Sequence, residues 1–288
     1  MKIQYLGTSS AEGYPGMFCD CPQCRTARER GGRNLRTRSQ SVMYKEGIGQ
    51  GEPGEILLID FPPDVYQHVV QHNLPMRRIG HLIITHSHKD HFCPDGLVCR
   101  SNAFKTQKLD FPLQLYGNKE VGERFEIMLE DERRHVTPEI AVFNQIEAFK
   151  PFKAGVYTVT PLRADHRSYT AEEKTMIYIV EQAGKRLLYG NDTKIFPEET
   201  FEYIAGKQFD LVSLDCNNCG ESASGNHMGL PENLKVKERM EKLGCLKADS
   251  KIVLNHFSHQ SGACYEEMVE LARPHGMEVA YDGGVWEV

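Results

Sequence analysis

The residues best equipped for chemistry lie in "THSHKDH", residues 85–91, which contains His86, His88, Asp90 and His91. A helix would set His86 and His88 about 200° apart around its axis, so their rings would not converge. An extended or tightly turned backbone puts residues two apart on the same side. Asp90 and His91 then begin the next turn and face the same space from the other side. Neutral imidazole with carboxylate suits zinc, manganese or iron. Four such groups within residues 86–91 fit two neighbouring cations better than one. A solvated loop accounts for a lone histidine, but this spacing behind an apolar strand favours ligation.

A second concentration is "CDCPQC", residues 19–24, with Cys19, Cys21 and Cys24. These thiols can be a redox site, three ligands of a metal whose fourth ligand lies elsewhere, or chance neighbours in a loop, and spacing alone does not choose among them. Cys216 and Cys219 form a C-X-X-C. Without a second pair or a thioredoxin-like context they read as loop or buried thiols. Cys93, Cys99, Cys245 and Cys264 are spaced like core positions.

The elements that must position these groups are short. Strand-like runs occur at 2–7, 55–60, 81–85, 112–117, 156–162, 175–182, 185–190, 209–215, 250–255 and 277–282. Helical stretches are expected at 62–73, 94–106, 118–134, 197–206, 231–243 and 263–273. Pro62, Pro94, Pro197 and Pro231 sit near the starts of four of these, where a missing N–H costs little. The runs 175–182 and 185–190, joined across Ala183-Gly184, read as a hairpin. Polar, Gly-rich breaks at 47–54 and 217–226 are too short for domain linkers, so 1–288 is read as a single domain. Mixed strands and helices in both halves suit two sheets with helices outside.

Several apolar runs end in a metal-capable residue: Asp60, His86, Asp192, Asp215 and His256, with His166 after "VTPLRAD". Strand ends of α/β folds commonly carry the active site, and these repeated endings predict a cluster at one edge of the sheets. Asp60 and Asp215 are expected either to orient histidines or to cap turns. Arg163, Arg167, Ser168 and Tyr169 flank His166 and are within reach of an anionic substrate, although surface solvation is the default. Residues 120–149 are charged and read as a solvated helix plus connection, with a lid over the site as the alternative.

Composition narrows the partners. The 288-residue chain carries a net charge of −6 and is 40% hydrophobic, ample for a sizeable core. Its densest basic stretch, 25–38, is interrupted by glycines and polar residues, so nucleic acid is not an expected partner. No apolar run approaches the ~20 residues of a membrane span. "MKIQYLGTSS" reads as a strand and turn instead of a signal peptide. Nine cysteines then predict reduced thiols or metal ligands in the cytoplasm.

With these motifs in hand, the chain resembles the metallo-β-lactamase superfamily. His86–His91 matches its His-X-His-X-Asp-His motif, followed in order by His166 in "LRADHRS", Asp192 in "YGNDT" and His256 in "VLNHFSH". The resemblance implies an αββα sandwich, two mixed sheets packed face to face with helices outside. It also implies a binuclear site: His86, His88 and His166 on one metal, Asp90, His91 and His256 on the other, Asp192 between them. Within the superfamily, "CDCPQC", "GNHMGL" with His227, and "NHFSHQ" look like the phosphoribosyl 1,2-cyclic phosphate phosphodiesterase family of the carbon–phosphorus lyase pathway. That likeness implies a structural zinc on Cys19, Cys21, Cys24 and His259. The zinc-binding loop would span about 17–26. His259 follows His256 by three residues, so a short loop can send one ring to the active site and the other to the cysteines.

The implied cofactors are two active-site divalent metals, manganese, zinc or iron, and one structural zinc. The implied reaction is attack of a metal-bridging hydroxide on a small, cyclic phosphodiester, with Asp90 in the catalytic centre. His227 is expected as the acid that protonates the leaving alkoxide, or as a binder of phosphate by charge alone. A thioester, lactone or lactam hydrolase, a tRNA-processing nuclease and a cofactor-biosynthesis protein of the same fold are the alternatives. The expected partner is a small molecule, with no membrane, and a homodimer is open.

Overall fold

A computed structural model describes residues 1–45, 47, 52–101, 104, 107–132, 136–222 and 225–288. Parts of the expected 47–54 break, the 94–106 and 118–134 helices and the 217–226 break lie outside these residues.

The strands are β1 (Lys2–Gly7), β2 (Gln40–Tyr44), β3 (Leu57–Ile59), β4 (His81–Ile83), β5 (Leu113–Gly117), β6 (Ala141–Gln145), β7 (Phe152–Ala154), β8 (Tyr157–Arg163), β9 (Met176–Gln182), β10 (Lys185–Gly190), β11 (Phe209–Asp215), β12 (Leu246–Asn255), β13 (Met277–Val279) and β14 (Val285–Glu287). The helices are α1 (Pro22–Arg30), α2 (Val65–His72), α3 (Lys119–Glu132), α4 (Glu198–Ile204), α5 (Leu230–Lys242) and α6 (Tyr265–Ala272).

Among the described residues the strands form two seven-stranded mixed sheets, ordered β14-β1-β2-β3-β4-β5-β6 and β13-β12-β11-β10-β9-β8-β7. The first is antiparallel from β14 to β3 and parallel from β3 to β6. The second is antiparallel from β7 to β10 and parallel from β10 to β13. The expected hairpin is β9–β10, and Ala183 and Gly184 turn it at φ 50° and 80°, the backbone a two-residue hairpin requires.

Alternation along the strands makes three apolar layers. Ile3, Tyr5, Ile59, Val159, Tyr178, Leu187, Leu211 and Val253 meet between the sheets. Leu58, Leu82 and Leu115 face outward against Val121 and Phe125 of α3. Leu188, Val212 and Leu254 face Phe201 of α4, Val236 and Met240 of α5 and Met268 of α6. This is the αββα sandwich expected from the motifs. No described helix is long and apolar enough to cross a membrane.

Three expectations need correction. Residues 94–100 form a 3-10 turn, Pro94–Arg100, in place of an α-helix. The charged 120–149 stretch is α3 plus strand β6, and α3 buries Val121, Phe125 and Met128 against the first sheet. It is a wall of the fold, not a lid. Cys99 is exposed and Cys93 only partly buried, whereas Cys245 and Cys264 are buried as expected.

Candidate metal centre

The parallel strands carry the site at their C-terminal ends. Asp60 follows β3, "THSHKDH" follows β4, Asp192 follows β10, Asp215 ends β11 and His256 follows β12. Asp60, Asp192 and His256 have φ of 64°, 54° and 64°. Non-glycine residues avoid this region, and at each position the strand must turn sharply to aim a polar side chain into the crevice. Such outliers persist where surrounding structure over-determines them.

Asp192, 4% exposed, is the centre. Its carboxylate lies 3.2 Å from His86 Nε2, 3.0 Å from His91 Nε2, 3.0 Å from His166 Nδ1, 3.3 Å from His227 Nδ1 and 3.8 Å from His256 Nε2. His88 Nδ1 is 2.9 Å from His86 Nε2 and 3.3 Å from His166 Nε2. Asp90 reaches within 3.3 Å of His91 Nε2. Ligand-capable atoms of His86, His88, His166 and Asp192 lie within 4.8 Å of one another, as do those of Asp90, His91, Asp192 and His256. The seven expected binuclear residues are thus brought together in two overlapping groups sharing Asp192.

Two of the rings are held from their far side. His91 Nδ1 donates to Asp60 Oδ2 at 2.8 Å, and Asp60 also accepts from the Thr85 N–H and hydroxyl. His256 Nδ1 donates to Asp215 Oδ2 at 3.0 Å. Asp215 Oδ1 accepts from the N–H groups of Asn217 and Met228, so Asp215 both orients histidines and ties the turn after β11. Buried carboxylates on Nδ1 fix the tautomer that leaves Nε2 open to a cation.

The carboxylates and two of the imidazoles are held in the form that binds a cation. Burial opposes the Asp192 charge, but the imidazoles around it hold its carboxyl well below the usual range. Asp90 is likewise lowered by His91 against the effect of burial. Burial pushes His88 down to about 4 and His166 down to about 3, so both are neutral and lone-pair-bearing, the form that ligates. His91 Nε2, His256 Nε2 and Asp192 Oδ1 are buried and make no hydrogen bond among the described residues. Polar atoms so placed are costly, and converging imidazole and carboxylate donors are the chemistry divalent cations satisfy.

His227 stands beside this cluster, with Nδ1 3.2 Å from Asp215 Oδ2 and its ring 5.4 Å from both His166 and His256. Burial disfavours its charge, yet Asp215, by charge and hydrogen bond, and Asp192 raise it to about 9.

The cysteines form a separate group. Ligand-capable atoms of Cys19, Cys21, Cys24 and His259 lie within 4.8 Å of one another. Cys21 Sγ is 3.6 Å from His259 Nδ1, and Cys24 Sγ accepts the Gly16 N–H at 3.3 Å. Desolvation works against the Cys21 thiolate, but the Cys24 N–H and His259 lower its pKa to about 6. Four N/S donors fit a closed tetrahedral site. Cys216 and Cys219 are buried, and burial raises both thiols.

Of the residues flanking His166, Arg163 turns towards Glu199 of α4 at 3.8 Å and Arg167 is exposed. Tyr169 packs edge-on against the His88 ring at 4.7 Å and is 59% exposed, forming part of the mouth. Ser168 is engaged by Glu173. Thr85, Glu173 and Asn118 were not singled out in the sequence, because a lone polar residue in a loop carries no periodic or spacing signal.

The family model for the beta-lactamase superfamily domain matches residues 56–257, the span from β3 to the residue after His256. The chain belongs to the beta-lactamase superfamily. It is a hydrolase of the metallo-β-lactamase fold, a fold that implies divalent metal binding, and its His/Asp cluster is the candidate metal site. Among solved structures it is similar to a diphosphatase from the PhnP family, with 20% identity, TM-score 0.74, and 100% of this chain and 97% of that one covered. Zn(2+)-bound PqqB from Methylobacterium extorquens gives 18% identity, TM-score 0.68 and full coverage of both chains. The short form of human tRNase Z gives 19%, 0.67, and coverage of 100% and 99%. No curated protein matched the chain.

Proposed function

We propose that this superfamily member is a binuclear phosphodiesterase acting on a small, cyclic phosphodiester of the phosphoribosyl 1,2-cyclic phosphate type. In this reading His86, His88 and His166 hold one divalent cation, Asp90, His91 and His256 hold the other, and Asp192 touches both. Manganese, zinc and iron all suit these donors. Cys19, Cys21, Cys24 and His259 hold a structural zinc. Two cations of this kind supply a water of lowered pKa and positive charge for phosphoryl oxygens.

The observation that carries the reading is His227. Its Nδ1 is engaged by Asp215, leaving Nε2 as the nitrogen able to hand on a proton. A phosphodiester expels an alkoxide, which needs that proton, whereas a thioester expels a thiolate, which does not. Asp215 keeps the imidazolium form available and fixes the ring's direction. A cation held by Asp192 would offset part of that carboxylate's charge, and His227 would then fall from about 9 towards the range where a general acid works best. Likeness to a diphosphatase supports phosphorus over carbonyl as the centre attacked. The net charge of −6 supports a small-molecule substrate over a nucleic acid. Reduced thiols fit a cytoplasmic setting.

A substrate panel tests this: bis-p-nitrophenyl phosphate, nucleoside 2′,3′-cyclic phosphates, phosphoribosyl 1,2-cyclic phosphate and a thioester, each with manganese- and zinc-loaded protein. Turnover of the cyclic phosphates is expected. Activity confined to the thioester would reject the proposal.

A further inference from the structure

Glu173 has no part in the chemistry above, yet it is only 6% exposed and gathers donors from three segments. Its Oε1 accepts from the Ser87 N–H at 2.8 Å and from Asn118 Nδ2 at 2.9 Å. Its Oε2 accepts from the Ser87 hydroxyl at 2.6 Å and from the Ser168 hydroxyl. Ser87 lies between His86 and His88, and Ser168 lies two residues after His166. Asn118 accepts the Val121 N–H at the start of α3. None of these donors is a cation, so no ion pair accounts for the buried carboxylate. Burial opposes its charge, and the hydroxyls of Ser168 and Ser87 with the Asn118 amide keep it ionised.

The two-pronged grip holds the peptide between His86 and Ser87 through its N–H and anchors the Ser87 side chain. It thereby pins the centre of the turn that carries His86 and His88 on either side. The Ser168 contact brings the His166 loop to the same carboxylate. His91 and His256 are held separately, by Asp60 and Asp215. We propose that Glu173 is a positioning residue that locks the His86–His88 turn to the His166 loop, making one of the two cation sites. The proposal rests on the reading of these imidazoles as metal ligands.

The test is cobalt(II) titration of the chelator-stripped full chain. A cysteine-rich site absorbs in the near ultraviolet through thiolate charge transfer, so its filling is read apart from the His/Asp sites. Wild-type protein should take two cobalt ions in His/Asp sites and one in the thiolate site. Glu173→Ala should weaken one His/Asp equivalent by about 10–100-fold, the scale for partners that orient ligands, and leave the other His/Asp and the thiolate equivalents unchanged. Glu173→Gln keeps an acceptor for the Ser87 N–H and should recover most of that affinity. If the wild type fills two His/Asp sites and Glu173→Ala fills both with unchanged affinity, the assignment is wrong while the metal reading stands. Parallel loss at both sites with a collapsed melting temperature in Glu173→Ala and Glu173→Gln alike would reduce Glu173 to a general structural cross-link. Absence of any His/Asp-bound cobalt in the wild type would overturn the metal reading and this proposal with it.

Discussion

At the scale of single residues, position and electrostatics make separate predictions for His227. Its neighbours Asp192 and Asp215 are buried carboxylates, and a bare charge there is costly. The imidazolium is therefore expected to serve the reaction without holding the metals in place. His227→Ala should retain metal content and lose about 10²–10⁴-fold in kcat with a poor leaving group, and much less with p-nitrophenolate, which leaves without a proton. Equal losses on both substrates would show that His227 only binds phosphate. Asp215→Asn should lower the alkaline pKa of the rate profile, because the charge that raises His227 is then removed. An unshifted alkaline limb would sink that link.

At the scale of elements, the site depends on how chains turn at strand ends. The loop after β11 carries His227 back to α5, and Gly229 opens that helix. A Cβ on Gly229 would lie 1.7 Å from the Glu221 carbonyl oxygen, so no side chain fits without moving the loop. Gly229→Ala should displace His227, cutting kcat while leaving metal content as in the wild type. It should also cost roughly 1–3 kcal/mol of stability, the usual penalty for overpacking, measurable by urea unfolding. The strand interiors are a different case. Leu254 in β12 is fully buried, and Leu254→Ala should cost about 2–5 kcal/mol without a specific catalytic defect in protein that stays folded.

At the scale of the whole molecule, two devices join distant parts of the chain. The Cys19–Cys24 loop and His259 bring the N-terminal region to the segment just after His256. A zinc held there, as proposed, would close a very long loop, and its binding energy would be folding energy. Cys21→Ser should lower zinc content by about one per chain and lower Tm on the order of 5–10 °C; unchanged content and melting would make "CDCPQC" an ordinary loop. The second device is His68 of α2, which is fully buried, with Nδ1 2.6 Å from Gln40 Oε1 and Nε2 2.7 Å from Thr37 Oγ1. Burial lowers its pKa from 6.5 to about 4, outweighing the opposite pull of Asp64. The folded state prefers the neutral ring, so the unfolded state binds more protons between these values. Stability is full above pH ~6.5 and falls as pH drops towards 4, by up to about 3 kcal/mol. Denaturant midpoints between pH 7 and 4 should show this loss, reduced in His68→Gln.

The local code was legible where period and spacing carry information. Each strand-like run marked in the sequence is a strand, because alternation and short apolar runs bounded by turns record burial directly. Strands β2, β6, β7 and β14 were missed. "QSVMY" in β2 is buried along its whole length and shows no alternation, while β7 and β14 are three residues each and too short to show a period. Helix α1 was hidden in a charged stretch in which only Cys24 and Ala27 are buried. The candidate ligands were readable because strand ends and His-X-His spacing are local facts. Their convergence on Asp192 was not, since it depends on β3–β4 and β10–β12 from two different sheets ending at one crevice. Sequence alone determined which residues are equipped for metal chemistry. Tertiary structure decided that they meet, that Asp60 and Asp215 aim them, and that Glu173 ties the His86–His88 turn to the His166 loop. The contacts of Asp60 with His91, Asp215 with His256 and Glu173 with Ser87 join residues 31, 41 and 86 positions apart, a distance at which side-chain type leaves no periodic trace.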